Sequence, residues 1–462
     1  MTIRDDVRKY FEHEAARHEA PRGFRAAVLG EARGRALEQR SPQWIAGAVA
    51  MLLAVAVVAG LLGADVFLRS RGAPANPRSS AARTASPTSS PSASIPLDSV
   101  AMFGDEGWAS TLDSSGAIAN VLRTADGGRT WRTVTPGATT GTFIFGFAPI
   151  DVFRAWVMAA DPSASGTGPV DLWATSDGGQ TWTKTTALAF AFRGSLITFT
   201  DGTHGWFAVP GEPLSQEEQQ GIVIDRTIDG GKSWQLVAET NWPPVKSTPA
   251  APPLNCGKSD LSFFTPSTGW LTGGCGGGIT FDVTTDGGLT WKAQRLASPG
   301  GAPFSAECGG GPCTLTAPRF VRPPVGSYPD FQQAAGFGYM VLNDTTASGS
   351  RSWLYVSRDG GRSWTIHSVP GQETRVAMLT MSVGFASVGA VDGAAHWLYR
   401  TDDGGTTWQP VPANVQLSYP ELDCVSVSRC WALTASPTDS STQLYETTDG
   451  GLTWSNLNVR VP

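Results

Sequence analysis

Beyond residue 97, the apolar positions of this chain fall into short runs rather than helical stripes. Runs such as Ser195–Thr200, Leu261–Thr265 and Val376–Met381 have the length and β-branched content of strands. Each is followed by a small residue and an aromatic. The doublets are Gly107-Trp108, Ala155-Trp156, Gly205-Trp206, Gly269-Trp270, Gly338-Tyr339, Gly384-Phe385 and Cys430-Trp431. A third short run comes next, as in Leu172–Ala174, Leu354–Val356 and Leu398–Arg400. A polar octapeptide then closes the unit: Thr or Ser, any residue, Asp, Gly, Gly, any residue, Thr or Ser, Trp. Its seven copies are Thr124–Trp131, Thr175–Trp182, Thr227–Trp234, Thr284–Trp291, Ser357–Trp364, Thr401–Trp408 and Thr447–Trp454. Four antiparallel strands per unit, repeated at roughly 45–75 residues, predict an all-β chain folded as a seven-bladed β-propeller.

The octapeptide has a mechanical explanation. The carboxylates of Asp126, Asp177, Asp229, Asp286, Asp359, Asp403 and Asp449 can accept turn amides, and the glycines supply positive φ. The hydroxyl at the seventh position can bond back to the Asp. Trp131, Trp182, Trp234, Trp291, Trp364, Trp408 and Trp454 then open the next strand with a large apolar surface and an N–H at hand. Of the 17 tryptophans, these seven and five doublet residues are structural by this reading, and Trp173, Trp353 and Trp397 fall in third strands. Seven separate single-carboxylate turns are not a metal cage.

Ile45–Ala64 carries no charge and has the length of a membrane-crossing helix. A charged stretch of more than 40 residues precedes it, so an uncleaved single-pass anchor is expected rather than a signal peptide. The expected divisions are a helical cytoplasmic segment at 1–43, a transmembrane helix at 44–68, a disordered Ala/Ser/Pro/Thr linker at 69–97, and the propeller at 98–462. Two short helices are predicted, Arg4–Glu19 and Phe24–Gln39, separated by Pro21-Arg22-Gly23. This segment reads as a solvated or membrane-skimming tail, with a cytoplasmic partner for residues 1–43 as the alternative.

All six cysteines lie beyond the anchor and fall into three local pairs: Cys256 with Cys275, Cys308 with Cys313, and Cys424 with Cys430. Disulfides belong in an oxidising space, which puts the propeller outside the cell membrane and the N-terminus in the cytoplasm. Beyond residue 97 the chain carries 21 Lys and Arg against 32 Asp and Glu, which argues against a nucleic-acid partner.

The octapeptide, preceded by Gly-Trp, resembles the Asp-box or bacterial neuraminidase repeat. It looks most like the propellers of photosystem II assembly and stability factors and their bacterial relatives. Over residues 98–462 the resemblance implies a propeller and, as its most concrete version, a role in assembling or stabilising an envelope complex. Asp boxes also occur in sialidases, xyloglucanases and sortilin-type receptors, so they say little about activity. The sialidase Arg-Ile-Pro is missing. Tyr355, Tyr399 and Tyr445 repeat two residues before their Asp turns, which marks them as architectural. Tyr328 and Tyr419 remain, and Arg193, Arg319 and Arg375 lie near the starts of channel-lining first strands. Asp151, Asp201, Asp260, Asp330 and Glu421 are carboxylates outside the turns, and no spacing singles out a catalytic pair. With no His-rich motif, Gly-x-Ser-x-Gly or phosphate loop, no metal or cofactor is expected.

Insertions are expected almost wholly on one face: Asp161–Val170, Pro210–Gly221 and Asp344–Arg351 within blades, and Trp242–Lys258 and Leu296–Pro329 between them. The expectation is a membrane-tethered, non-catalytic scaffold binding an extracytoplasmic protein or glycan. A sialidase-like or xyloglucanase-like hydrolase acting from the channel mouth is the alternative.

Overall fold

Glycine in five of the doublets lets the first strand end in a bulky side chain folded over it. A methyl built on Gly205, Gly269 or Gly338 would stand 2.4, 2.5 or 2.6 Å from the ring of Phe199, Phe263 or Phe320. On Gly107 or Gly384 it would meet the sulfur of Met102 or Met378 at 2.3 Å. These partners face each other across the first and second strands. Cys424 and Cys430 occupy the same pair of positions, and there a disulfide replaces the packed pair.

The structure, a computed structural model, describes residues 97–459 apart from 114–116, 138–142, 161–169, 189–195, 212–219, 241–247, 249, 276–277, 305–312, 322–335, 347–348, 372–373, 389–395, 419 and 436–441. The expected cytoplasmic helices, membrane anchor and linker lie outside the described residues. So do Cys308, Arg193, Tyr328, Tyr419, Asp330 and most of the expected insertions.

The described chain is all-β and antiparallel, in several four-stranded sheets as a propeller requires. One typical sheet runs Leu196–Phe199, Gly205–Pro210, Ile222–Thr227, Gln235–Thr240 in simple sequence order. The first eight strands form a single sheet, in which two four-stranded meanders are joined by one residue pair, Ile118 with Ile144. Another sheet has five strands, because Cys313–Leu315 and Arg319–Phe320 both pair with Gly338–Thr346. This corrects the expected inter-blade loop Leu296–Pro329, whose second half contains an inner strand. Pro318 brings no N–H to the ladder and divides that strand in two, which hides its period. The expected loop Asp344–Arg351 is likewise a continuation of the hairpin, with Asp344 opposite Arg351 and Thr346 opposite Gly349.

Every Asp turn joins a third strand to a fourth and uses one bonding scheme. The Thr or Ser hydroxyl donates to Asp Oδ1 at 2.8–2.9 Å and accepts from the second Gly amide. The seventh residue donates its amide to Oδ1 and its hydroxyl to Oδ2. Both glycines have φ between 72° and 97° in all seven copies, a region costly for any residue with a Cβ. The first Gly amide donates to a carbonyl of the first-to-second-strand loop, from Gly127 to Asp105 through Gly450 to Ser428. Each turn is thereby tied to its neighbouring hairpin.

The indoles tie sheet to sheet. Trp156 stacks on Phe199 of the next sheet at 3.6 Å, and Trp206 on Phe263 at 3.5 Å. Trp156 donates its N–H to the Gly230 carbonyl and Trp206 to that of Gly287, each in the next Asp turn. Trp270 reaches the Gly361 carbonyl through Gln294. Trp431, in the last sheet, donates to Gly127 in the first turn of the chain. Arg429 stacks over Trp431 and pairs with Asp105 at 2.7 Å, and Arg129 pairs with Glu446 at 2.8 Å. Trp131 and Trp431 share one apolar cluster with Met102, Leu433 and Leu444, so the first and last sheets close on each other.

Hydrogen bonds from Ser233 and neighbouring amides hold the Asp229 carboxyl down at about 2. A carboxyl depressed in the folded state contributes stability that is full above its unfolded value of about 4 and is lost as pH falls through the folded value. The melting temperature is therefore expected to fall between pH 4 and pH 2, and Asp229→Ala to cost about 1 kcal/mol at pH 7. Trp431→Phe, which deletes the N–H and part of a buried ring, should cost about 2 kcal/mol or more in urea unfolding.

Candidate functional site in the axial channel

First strands from different sheets converge on one space. Ser99–Ala101, Phe147–Pro149 and Ile197–Phe199 line a cavity of about 460 Å³ together with Arg319 and Glu421. A second cavity of about 260 Å³ shares Arg319 and Glu421 and adds Tyr339, Asn343, Arg375 and Leu422. Arg319 and Glu421 stand between the two and border both.

The preceding sheet positions Arg319. Asp260, opening the strand Asp260–Phe263, accepts the Ala317 amide at 2.8 Å, and Ser262 donates to the Pro318 carbonyl at 2.8 Å. Arg319 then stands opposite Tyr339. Protein crowds it on every side while solvent still reaches it, as in a narrow channel. Attraction to the ionised Tyr339 side chain, and then to Asp260 and Glu421, outweighs burial and pushes its already basic guanidinium further up. Arg375 opens Arg375–Met378 beside Thr374, whose amide bonds the Ser352 hydroxyl. Its guanidinium lies 3.9 Å from Glu421, and both side chains are about half exposed.

Asp423 lies two residues along the same strand and accepts the Met102 amide from the first sheet. Burial pushes its carboxyl up to about 6, and the charge of Glu421 adds to this. The channel thus holds two cations, Arg319 and Arg375, beside Asp260, Glu421 and Asp423, with Glu421 in ion-pair range of Arg375 and competing with any bound anion. Such an arrangement can receive an anionic group and orient it against the Tyr339 phenol.

The structure brings together Arg319, Arg375, Asp260 and Glu421, all candidates by sequence. It places Asp151 and Asp201 elsewhere, in first-to-second-strand loops where they accept amides at 2.7–2.8 Å. Tyr355 is buried and donates to Ala297, as its periodic position implied. Sequence reading passed over Asp423 and took Tyr339 only as a doublet aromatic. The available signal for Asp423 was its i, i+2 spacing from Glu421. Cys256 is bonded to Cys275, Cys424 to Cys430, and Cys313 is disulfide-bonded. Among the described residues, no group of three or more His, Cys, Asp or Glu side chains is placed to hold a metal ion.

The sequence matches no family model and no curated protein. Among solved structures, the fold is similar to a GH74 xyloglucanase from Xanthomonas campestris at 15% identity and a TM-score of 0.46, over 79% of this chain and 55% of that one. An ancestral GH74 enzyme gives 16% identity and 0.44, over 80% and 47%. A puromycin-hydrolysing peptidase from Mycobacterium tuberculosis gives 12% and 0.46, over 79% and 54%. This chain spans about half the length of each. Similarity this distant assigns no activity.

Asp423 binds its proton more tightly when folded, so its contribution to stability is full below about pH 4 and is lost as pH rises through 6. Asp423→Asn is expected to match the wild type in thermal melts near pH 4 and to melt higher above pH 6.

Proposed function

We propose that the chain is a membrane-tethered, extracytoplasmic seven-bladed propeller that binds an acidic group of a protein or glycan partner at its channel and performs no catalysis. Seven blades follow if the eight-stranded sheet is two blades joined through Ile118 and Ile144, and the five-stranded sheet is one blade with a divided inner strand. Two disulfides between local cysteine pairs support the extracytoplasmic side. The uncharged Ile45–Ala64 supports the tether. An envelope assembly or stability role, as in the photosystem II factors that the repeat resembles, is the concrete form of this proposal. The convergence of Arg319 and Arg375 on one cavity carries the binding reading.

One observation favours hydrolysis instead. Asp423, held up to about 6 beside Glu421, is the kind of unequal carboxyl pair that acid–base chemistry uses. Its bond to the Met102 amide assigns it to ring closure in our reading.

The test is a crosslinking pull-down with the full chain in detergent, run beside turnover assays on sialosides and β-glucans. A partner captured by the wild type should fall about tenfold in yield with Arg319→Ala/Arg375→Ala and weaken with added salt. Turnover abolished by Glu421→Gln and Asp423→Asn would replace binding with hydrolysis.

A further inference from the structure

A separate cavity opens on the outer edge, between the fourth strand of the first meander and the Asp turn of the second. It measures about 430 Å³, and its walls include Arg132, Thr133, Thr135, Trp173, Gln180 and Trp182. We propose that this groove is a carbohydrate site, taking the apolar face of a neutral pyranose ring of an oligosaccharide against its indoles. The proposal is independent of the channel reading.

Three observations set the groove apart from its counterparts. Trp173 stands two residues before its Asp turn, where the other units carry Leu122, Asp225, Asp282, Tyr355, Tyr399 and Tyr445. It is half-buried, with one side on the cluster of Trp108, Val134 and Val157 and the rest facing the groove. Trp182 also departs from pattern. Trp131, Trp234, Trp291, Trp364 and Trp454 donate their N–H to the second Gly carbonyl of their own turn. Trp182 instead donates across the seam to Val134 at 2.6 Å, which pins its ring as a groove wall. The corresponding seam at ring closure, lined by Arg129, Glu446, Asn456 and Leu457, has no indole in its wall.

The chemistry around the indoles suits a sugar. A pyranose presents C–H bonds on one face and hydroxyls at its edge. Indole takes the face, while the Arg132 guanidinium, the Gln180 amide and the threonine hydroxyls supply donors and acceptors for the edge. A polyproline peptide also uses aromatic grooves, but it carries no hydroxyls to match these groups. The walls are pre-set. Among the described residues, these two meanders are the ones joined by strand pairing, through Ile118 and Ile144, and Arg132 reaches the Gly178 carbonyl across the seam at 3.3 Å. Little ordering is left for the ligand to impose.

Titration calorimetry and intrinsic fluorescence on the full chain in detergent, with cellohexaose, chitohexaose, maltohexaose and a decaproline peptide, test this. At least one hexasaccharide should bind saturably and perturb tryptophan emission. Trp173→Ala should weaken it at least about tenfold, Trp173→Tyr less, and Arg132→Ala by an intermediate factor. Arg319→Ala should leave it unchanged, which separates this groove from the channel. Trp173→Tyr keeps a ring against the cluster and guards against loss of fold. Saturable binding of none of the three sugars, binding indifferent to Trp173→Ala, or preference for decaproline would each overturn the proposal.

Discussion

The contact of each doublet aromatic with the next sheet is the constraint on which the rest of this structure depends, and at Trp156, Trp206 and Trp431 it is fixed by an indole N–H given to a backbone carbonyl in the next Asp turn. Four-stranded sheets have two apolar faces and cannot stand alone in water, so each must be clamped to its neighbours in a fixed register. Stacked rings provide area but little direction. The carbonyl provides direction, and it is available because the Asp carboxylate and the leading hydroxyl satisfy the turn's other polar groups. The aspartates hold the turn, the turn offers the carbonyl, and the carbonyl aims the indole.

This order of dependence explains which parts of the fold were legible in the residues. The Asp turns carry their geometry in eight consecutive positions, and all seven formed the bonds that their residue types imply. The Gly-aromatic doublet was legible as a marker, but its reason was not. Gly205 is small because Phe199 lies over it, and Phe199 lies there because Trp156 of the preceding sheet stacks on its other side. Such a three-body contact joins residues too far apart in sequence for periodicity to show. The inner strand around Pro318 was misread for a local reason, since proline and nearby glycines imitate a loop when a neighbouring sheet supplies the anchoring bonds.

The candidate channel site was legible in part. Arg319 and Arg375 stood out as strand-opening cations, and strand openings face the channel in this architecture. Asp423 was signalled only by its spacing from Glu421, because its burial and its bond from the Met102 amide bring in the other end of the chain. The groove at Trp173 and Trp182 shows the reverse case. A strict repeat makes departures informative: a tryptophan where the six other units carry leucine, aspartate or tyrosine, and an indole bonded across the seam where five others bond their own turn, have meaning only against the regular copies.

Closure is the most demanding consequence of this account, since Trp431 must find Gly127 more than three hundred residues away in sequence. Hydrogen exchange of the tryptophan indole N–H groups, followed by NMR on the full chain, tests it most directly. Protection of the Trp431 N–H equal to that of Trp156 and Trp206 is the result the account predicts. Exchange of the Trp431 N–H at the rate of a solvent-exposed indole, with Trp156 and Trp206 still protected, would contradict it.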